Sequence, residues 1–81
     1  MKLRFTETLL RALDAAPAGV QKAFFKQVKF LAQNIRHPSL RAKKYDETSG
    51  IWQARVNRDW RFYFVIQDDE IVIIGIIPHP K

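Results

Sequence analysis

Hydrophobic positions follow two periods along this chain, and the switches between them lay out its elements. Leu3 and Phe5 flank Arg4, an alternation that predicts a short strand over Lys2–Phe5 joining a sheet edge. Leu9, Leu10 and Leu13 then recur at helical spacing behind Thr6 and Thr8, either of which can cap, with Glu7 in the first turn. That spacing predicts a helix of about ten residues, closed off by Pro17-Ala18-Gly19. Val20, Phe24, Val28, Leu31 and Ile35, reinforced by Ala23, Phe30 and Ala32, predict a long amphipathic helix over 17–36. His37-Pro38 stops it, because a residue before proline is disfavoured in the α region. Residues 38–49 carry neither period and read as a loop or irregular edge.

From Gly50 to Ile66 the period is two. Trp60, Phe62, Phe64 and Ile66 fall on one face and Arg61, Tyr63 and Val65 on the other, while Trp52, Ala54 and Val56 separate from Ile51, Gln53 and Arg55. Asn57-Arg58-Asp59 supplies the turn of a β-hairpin. Gln67-Asp68-Asp69-Glu70 is a second turn, and residues 71–77 form a nearly uninterrupted β-branched strand broken by Gly75. A strand apolar on both faces belongs inside a sheet. The expected fold is therefore α+β in the order β-α-α-β-β-β, with two N-terminal helices packed on one face of a small antiparallel sheet. The opposite face, carrying arginine and tyrosine, is left for binding or reaction.

Length and charge narrow the functional classes. Eighty-one residues suffice for one modest core, so residues 1–81 read as a single domain. The chain has no cysteine and two distant histidines, which excludes disulfides and thiolate metal sites and implies neither metal nor cofactor. It shows no signal-peptide pattern and no apolar run near the roughly 18 residues of a membrane span, so a cytoplasmic protein without a membrane partner is expected. The net charge is +6, and no acidic residue occurs from Ala15 through Tyr45, a window containing Lys22, Lys26, Lys29, Arg36, Arg41, Lys43 and Lys44. For the helical lysines a solvated surface is an equally good account. With Arg41, Lys43 and Lys44 added, the block points to phosphate contact.

Gly50-Ile51-Trp52-Gln53-Ala54-Arg55-Val56, then Arg58-Asp59-Trp60-Arg61-Phe62-Tyr63-Phe64, Asp68-Asp69, the aliphatic strand and a closing His79 together resemble the RelE/ParE superfamily. Its members are small toxins of bacterial type II toxin–antitoxin systems, and the YoeB-like ribonuclease branch is the most similar. The resemblance spans nearly the whole chain. It implies an mRNA endoribonuclease, or mRNA interferase, that inhibits translation, acting on the ribosome where the family habit holds and silenced by a cognate antitoxin. In that branch an arginine of the third strand contacts the scissile phosphate and a penultimate histidine acts as acid, and Arg61 and His79 fall on those positions. Two family residues are missing. The base glutamate's place lies among Arg41, Ala42, Lys43 and Lys44, and the terminal tyrosine's place holds Pro80.

Metal-free RNA cleavage requires a proton acceptor for the 2′-hydroxyl, stabilisation of the phosphorane and a donor to the leaving 5′-oxygen. Arg61 and Arg55 offer planar guanidinium donors to phosphate oxygens, and His79 can transfer a proton near neutral pH. Arg41, Lys43, Lys44, Arg58 and Tyr63 complete the candidate RNA-binding set. Arg61 has a structural alternative, an ion pair with Asp59 or Glu70, and His79 another, a frayed chain end. Register decides their meeting. A simple Asp68-Asp69 hairpin pairs Ile66 with Ile71 and Trp60 with Ile77, sending His79 to the aromatic face, whereas a bulge near Gly75 or a break at Pro78 returns it to the Arg61 face. A ParE-like toxin acting on DNA gyrase without catalysis, or a degenerate antitoxin-binding homologue, remains the alternative function.

Overall fold

Strand and helix periods both become elements in the computed structural model, which describes residues 2–79, so that Pro80, at the tyrosine's place, lies outside the described residues. The element order is β1 (Lys2–Phe5), α1 (Glu7–Ala15), α2 (Ala18–Gln33), a 3-10 turn (Pro38–Leu40), β2 (Lys43–Asp46), β3 (Ile51–Arg55), β4 (Trp60–Gln67) and β5 (Glu70–Pro78). Thr6 is the cap of α1: its Oγ1 accepts from the Leu9 N–H at 3.1 Å and donates to the Ile73 carbonyl at 3.2 Å. One side chain thus satisfies an orphan helix donor and ties the helix start to β5. The second helix ends at Gln33 rather than Arg36. Asn34 turns extended, and its Oδ1 accepts from the Arg36 N–H at 2.9 Å, a local turn that competes with another helical turn.

The sheet has five strands in the order β1-β5-β4-β3-β2, which corrects the expected architecture in two respects. It is mixed, because β1 pairs with β5 in parallel, Leu3 facing Ile71 and Phe5 facing Ile73, while the other pairs are antiparallel. The helices and the rest of the sheet supply the long connection that a parallel pair needs. The second correction is β2, formed in the stretch expected to be loop or irregular edge. Its residues are all exposed and show no alternation of their own. They pair because the outer edge of β3 presents unpaired N–H and C=O groups, Lys43 taking Gln53 and Lys44 taking Trp52 before a register shift at Tyr45.

Both helices cover one face. Leu9, Leu13, Val20, Phe24, Val28 and Leu31 pack on Ala54, Val56, Phe62, Phe64, Ile71, Ile73 and Ile76, with Leu40 of the 3-10 turn closing the side. Phe24 and Phe62, both fully buried, meet edge to face at 5.4 Å between centroids. Trp60 and Ile66 are half-buried against the same cluster, so the aromatic face of the hairpin lies beneath the helices as its alternation indicates. Among the described residues no helix is long and apolar enough to cross a membrane.

Truncating Phe62 to Ala should cost roughly 3 to 5 kcal/mol, the lost transfer energy plus a cavity between β4 and α2. Lys26→Ala, on the exposed side of α2, should cost about 0.5 kcal/mol or less. Chemical denaturation of both variants checks this, and equal midpoints would contradict the packing.

Candidate active site

The arrangement of the sheet's other face depends on one irregularity. Asp68-Asp69 does form a two-residue turn, with Ile66 opposite Ile71, and pairing runs regularly as far as Phe64 with Ile73. Tyr63 then pairs with Gly75, leaving Ile74 as the extra residue of a β-bulge. Beyond it Arg61 faces Ile77 and Trp60 faces Pro78 rather than Ile77. The slip by one residue reverses the faces of the strand end, so His79 follows Ile77 onto the Arg61 side. It is not frayed: the His79 N–H donates to the Asp59 carbonyl at 2.7 Å.

Arg61, His79, Arg55, Arg41 and Lys43 consequently line one cavity of about 230 Å³, floored by Gln53 and Ala54. Among the described residues no carboxylate lines it, and no ion pair with Asp59 or Glu70 holds Arg61. Its Nη1 instead donates to the Asn57 carbonyl at 2.7 Å and the Trp60 carbonyl at 2.9 Å, with a longer contact to Arg58 O at 3.4 Å. Glu70 pairs with Arg4 at 3.5 Å. The turn between β3 and β4 thus grips the guanidinium without neutralising it. Partial burial lowers the Arg61 pKa, Arg55 and Arg41 push the same way, and Tyr63 and Asp59 oppose them. Arginine still stays protonated at neutral pH, so the cavity holds excess positive charge that an anion would relieve.

The structure divides the remaining candidates. Lys44 is not in the cavity: its Nζ lies 5.2 Å over the Trp52 ring, on the side of the sheet opposite Lys43. Arg58 lines a neighbouring cleft with Arg41, Arg55 and Lys26. Tyr63 shares the open face but borders an apolar groove with Tyr45, Ile51, Ile74 and Ile77. It meets Tyr45 edge to face at 5.0 Å, and its hydroxyl accepts from Gln53 Nε2 at 3.2 Å. Among the described residues no three His, Cys, Asp or Glu side chains come together to hold a metal.

Gln27 was not among the residues the sequence singled out. It is buried, at 5% exposure, and its Nε2 donates to the Ser39 carbonyl at 3.0 Å and the Arg55 carbonyl at 2.8 Å. Its Oε1 accepts from Ser39 Oγ at 2.9 Å. One amide therefore joins α2 to the two backbone segments that carry Arg41 and Arg55. Arg41 itself sits in the left-handed region at φ 48°, a strained conformation for a side-chain-bearing residue. The available signal was a polar residue three after Phe24 on an apolar helix face, where burial demands partners.

No protein-family model matches the chain, and no curated protein matches it in sequence. Solved structures do match it over nearly its whole length. The YoeB/ParE toxin from Agrobacterium tumefaciens is 14% identical, covers 99% of this chain and 100% of its own, and has a TM-score of 0.79. The RelE of the archaeal RelE–RelB complex from Pyrococcus horikoshii is 18% identical over 95% of this chain and 92% of its own, at a TM-score of 0.77. The RelBE2 toxin–antitoxin complex from Mycobacterium tuberculosis is 25% identical over 96% of each chain, at 0.64. The fold is that of the RelE/ParE toxins. The resemblance read from the hairpin motif is borne out at the level of architecture. On this RelE/ParE scaffold the open face carries Arg61 and His79, with Gln27 beneath its rim.

Gln27→Leu should destabilise the protein by about 1 to 3 kcal/mol, since it removes the amide's hydrogen bonds to the part-buried Ser39 and Arg55 carbonyls. The exposed Gln33→Leu should stay within about 0.5 kcal/mol. Parallel urea titrations of the two variants test this.

Proposed function

We propose that residues 1–81 form one toxin domain of a type II toxin–antitoxin pair, a cytoplasmic mRNA endoribonuclease that works without a metal. The observation carrying this reading is the convergence of Arg61 and His79 in one cation-lined cavity. In the proposed reaction the 2′-oxygen attacks phosphorus, the bond from phosphorus to the 5′-oxygen breaks, and a cyclic phosphate forms. Arg61, held at a fixed height by turn carbonyls, takes the non-bridging oxygens as their charge rises, with Arg55 beside it. His79 gives a proton to the departing 5′-oxygen.

With no carboxylate of the described residues lining the cavity, the reading assigns the 2′-hydroxyl proton to water. Arg41 and Lys43 then supply charge where related ribonucleases keep their glutamate. A positioned base is worth about a hundredfold to ten-thousandfold, so turnover should be slow beside a toxin that has one. The RelE–RelB and RelBE2 complexes among the structural neighbours support an antitoxin as the protein partner. An acidic antitoxin segment would neutralise the same basic surface.

Arg61→Ala should lower mRNA cleavage about a hundredfold to a thousandfold with the fold intact, and His79→Gln by a comparable factor. Induced expression followed by primer extension on cellular mRNA is the test. Growth arrest without new 5′ ends, indifferent to His79→Gln, would overturn the nuclease reading in favour of a non-enzymatic toxin acting on DNA gyrase. No arrest together with retained antitoxin binding would identify a degenerate homologue.

A further inference from the structure

A larger cleft adjoins the cavity on the far side of Arg41 and Arg55. It measures about 540 Å³ and lies between α2, the 3-10 turn and the β3–β4 turn, with Lys26 and Arg58 on its walls. A solvated helix surface does not explain why Lys26 shares a cleft with three arginines and, among the described residues, no lining carboxylate. Among the described residues the ion pairs are Arg4 with Glu70 and Arg11 with Glu7, so none relieves this cluster. Four cations around one open cleft make its potential positive, and an anion seated there is attracted by all four.

The identity of the anion follows from connection and from spent hydrogen bonds. Arg41 and Arg55 line both the cleft and the Arg61–His79 cavity, so positive charge runs without a gap from Lys26 and Arg58 to the phosphate position beside His79. A small free ion would fill one end alone, while a phosphodiester chain spans both. The neutral polar groups suited to reading a base here are largely used, the Nδ2 of Asn57 excepted. Both donors of the Gln27 amide go to the Ser39 and Arg55 carbonyls, and Asn57 Oδ1 accepts from the Asp59 N–H at 2.9 Å. What the cleft offers a ligand is charge, which holds backbone phosphate without selecting a sequence.

We propose that this cleft is a second phosphate-binding subsite, where Lys26 and Arg58, assisted by Arg41 and Arg55, hold the backbone of the same single-stranded RNA flanking the scissile phosphate. The inference rests on the nuclease reading for the identity of the strand, and its test does not depend on cleavage. The probe is a dodecanucleotide fully 2′-O-methylated, which blocks attack by the 2′-oxygen, with binding followed by fluorescence anisotropy across a series of KCl concentrations. The double variant K26Q/R58Q should melt like the parent, because both side chains are exposed. It should bind about tenfold to a hundredfold more weakly, with the slope of log K against log salt reduced by about 0.7 for each phosphate left without its cation. Oligo-U and oligo-A probes should weaken by the same factor. The control K22Q/K29Q removes equal charge from exposed positions of α2 that do not line the cleft, and should change affinity by less than half as much on a logarithmic scale.

Equal losses of affinity in the two double variants would overturn the subsite in favour of diffuse attraction. So would unchanged RNA binding by K26Q/R58Q, and unchanged RNA binding with abolished antitoxin binding would give the cleft to the protein partner. If the parent binds the probe with the expected salt slope and dependence on Lys26 and Arg58 but cleaves no unmodified RNA, the subsite stands and the nuclease reading falls.

Discussion

The position of one extra residue in β5 decides which side chains meet on the open face. Had the β4–β5 pairing run without interruption from the Asp68-Asp69 turn, the strand end would carry His79 to the core side, away from Arg61. Ile74 breaks the parity: the aliphatic strand keeps Ile71, Ile73 and Ile76 in the core and still delivers its last residues to the open face. A sheet face is a binary choice for each side chain, so a single-residue slip moves a group from one environment to the other. The backbone bond from His79 to Asp59 then fixes the strand end against the turn that also grips Arg61.

That arrangement works against stability. Arg55 lies directly across from Arg61 in the β3–β4 ladder, a like-charge pair that opposes folding. Arg41 adds a third positive group on a left-handed backbone. The structure offsets these costs with neutral scaffolding. Turn carbonyls accept from Arg61, and the buried Gln27 amide clamps the segments bearing Arg41 and Arg55. Carboxylates would neutralise the cluster, whereas amides and carbonyls hold the cations in place and leave their charge available.

Much of the fold was legible because its longer elements repeat a period several times. The helix starting after Pro17 and the hairpin built on Trp52, Ala54, Phe62 and Phe64 each bury one continuous face. Elements decided by a distant partner were not legible. Lys-Lys-Tyr-Asp has no alternation and becomes β2 only because the β3 edge is there to receive it, and the parallel pairing of β1 depends on where β5 runs. The same cause separates Lys44 from the Arg61–His79 cavity. As a loop, residues 41–44 could act together, but once they enter a strand the period of two sends Lys43 to the open face and Lys44 over Trp52. Arg61, His79, Arg55, Arg41 and Lys43 were recognisable by type and motif, although their meeting depended on the bulge. Gln27 escaped notice because its partners are backbone carbonyls remote in sequence.

The central claim is that the bulge at Ile74 brings Arg61 and His79 to one phosphate. The direct measurement is an NMR titration with a dinucleoside monophosphate whose 2′-oxygen is methylated, following the Arg61 Nε–H and the His79 ring protons. The account predicts that both sets of signals shift along a single saturation curve, and that phosphate contacts reach both residues. Shifts confined to one of the two, or nuclear Overhauser contacts placing the His79 ring among the Trp60 and Phe62 side chains, would contradict it.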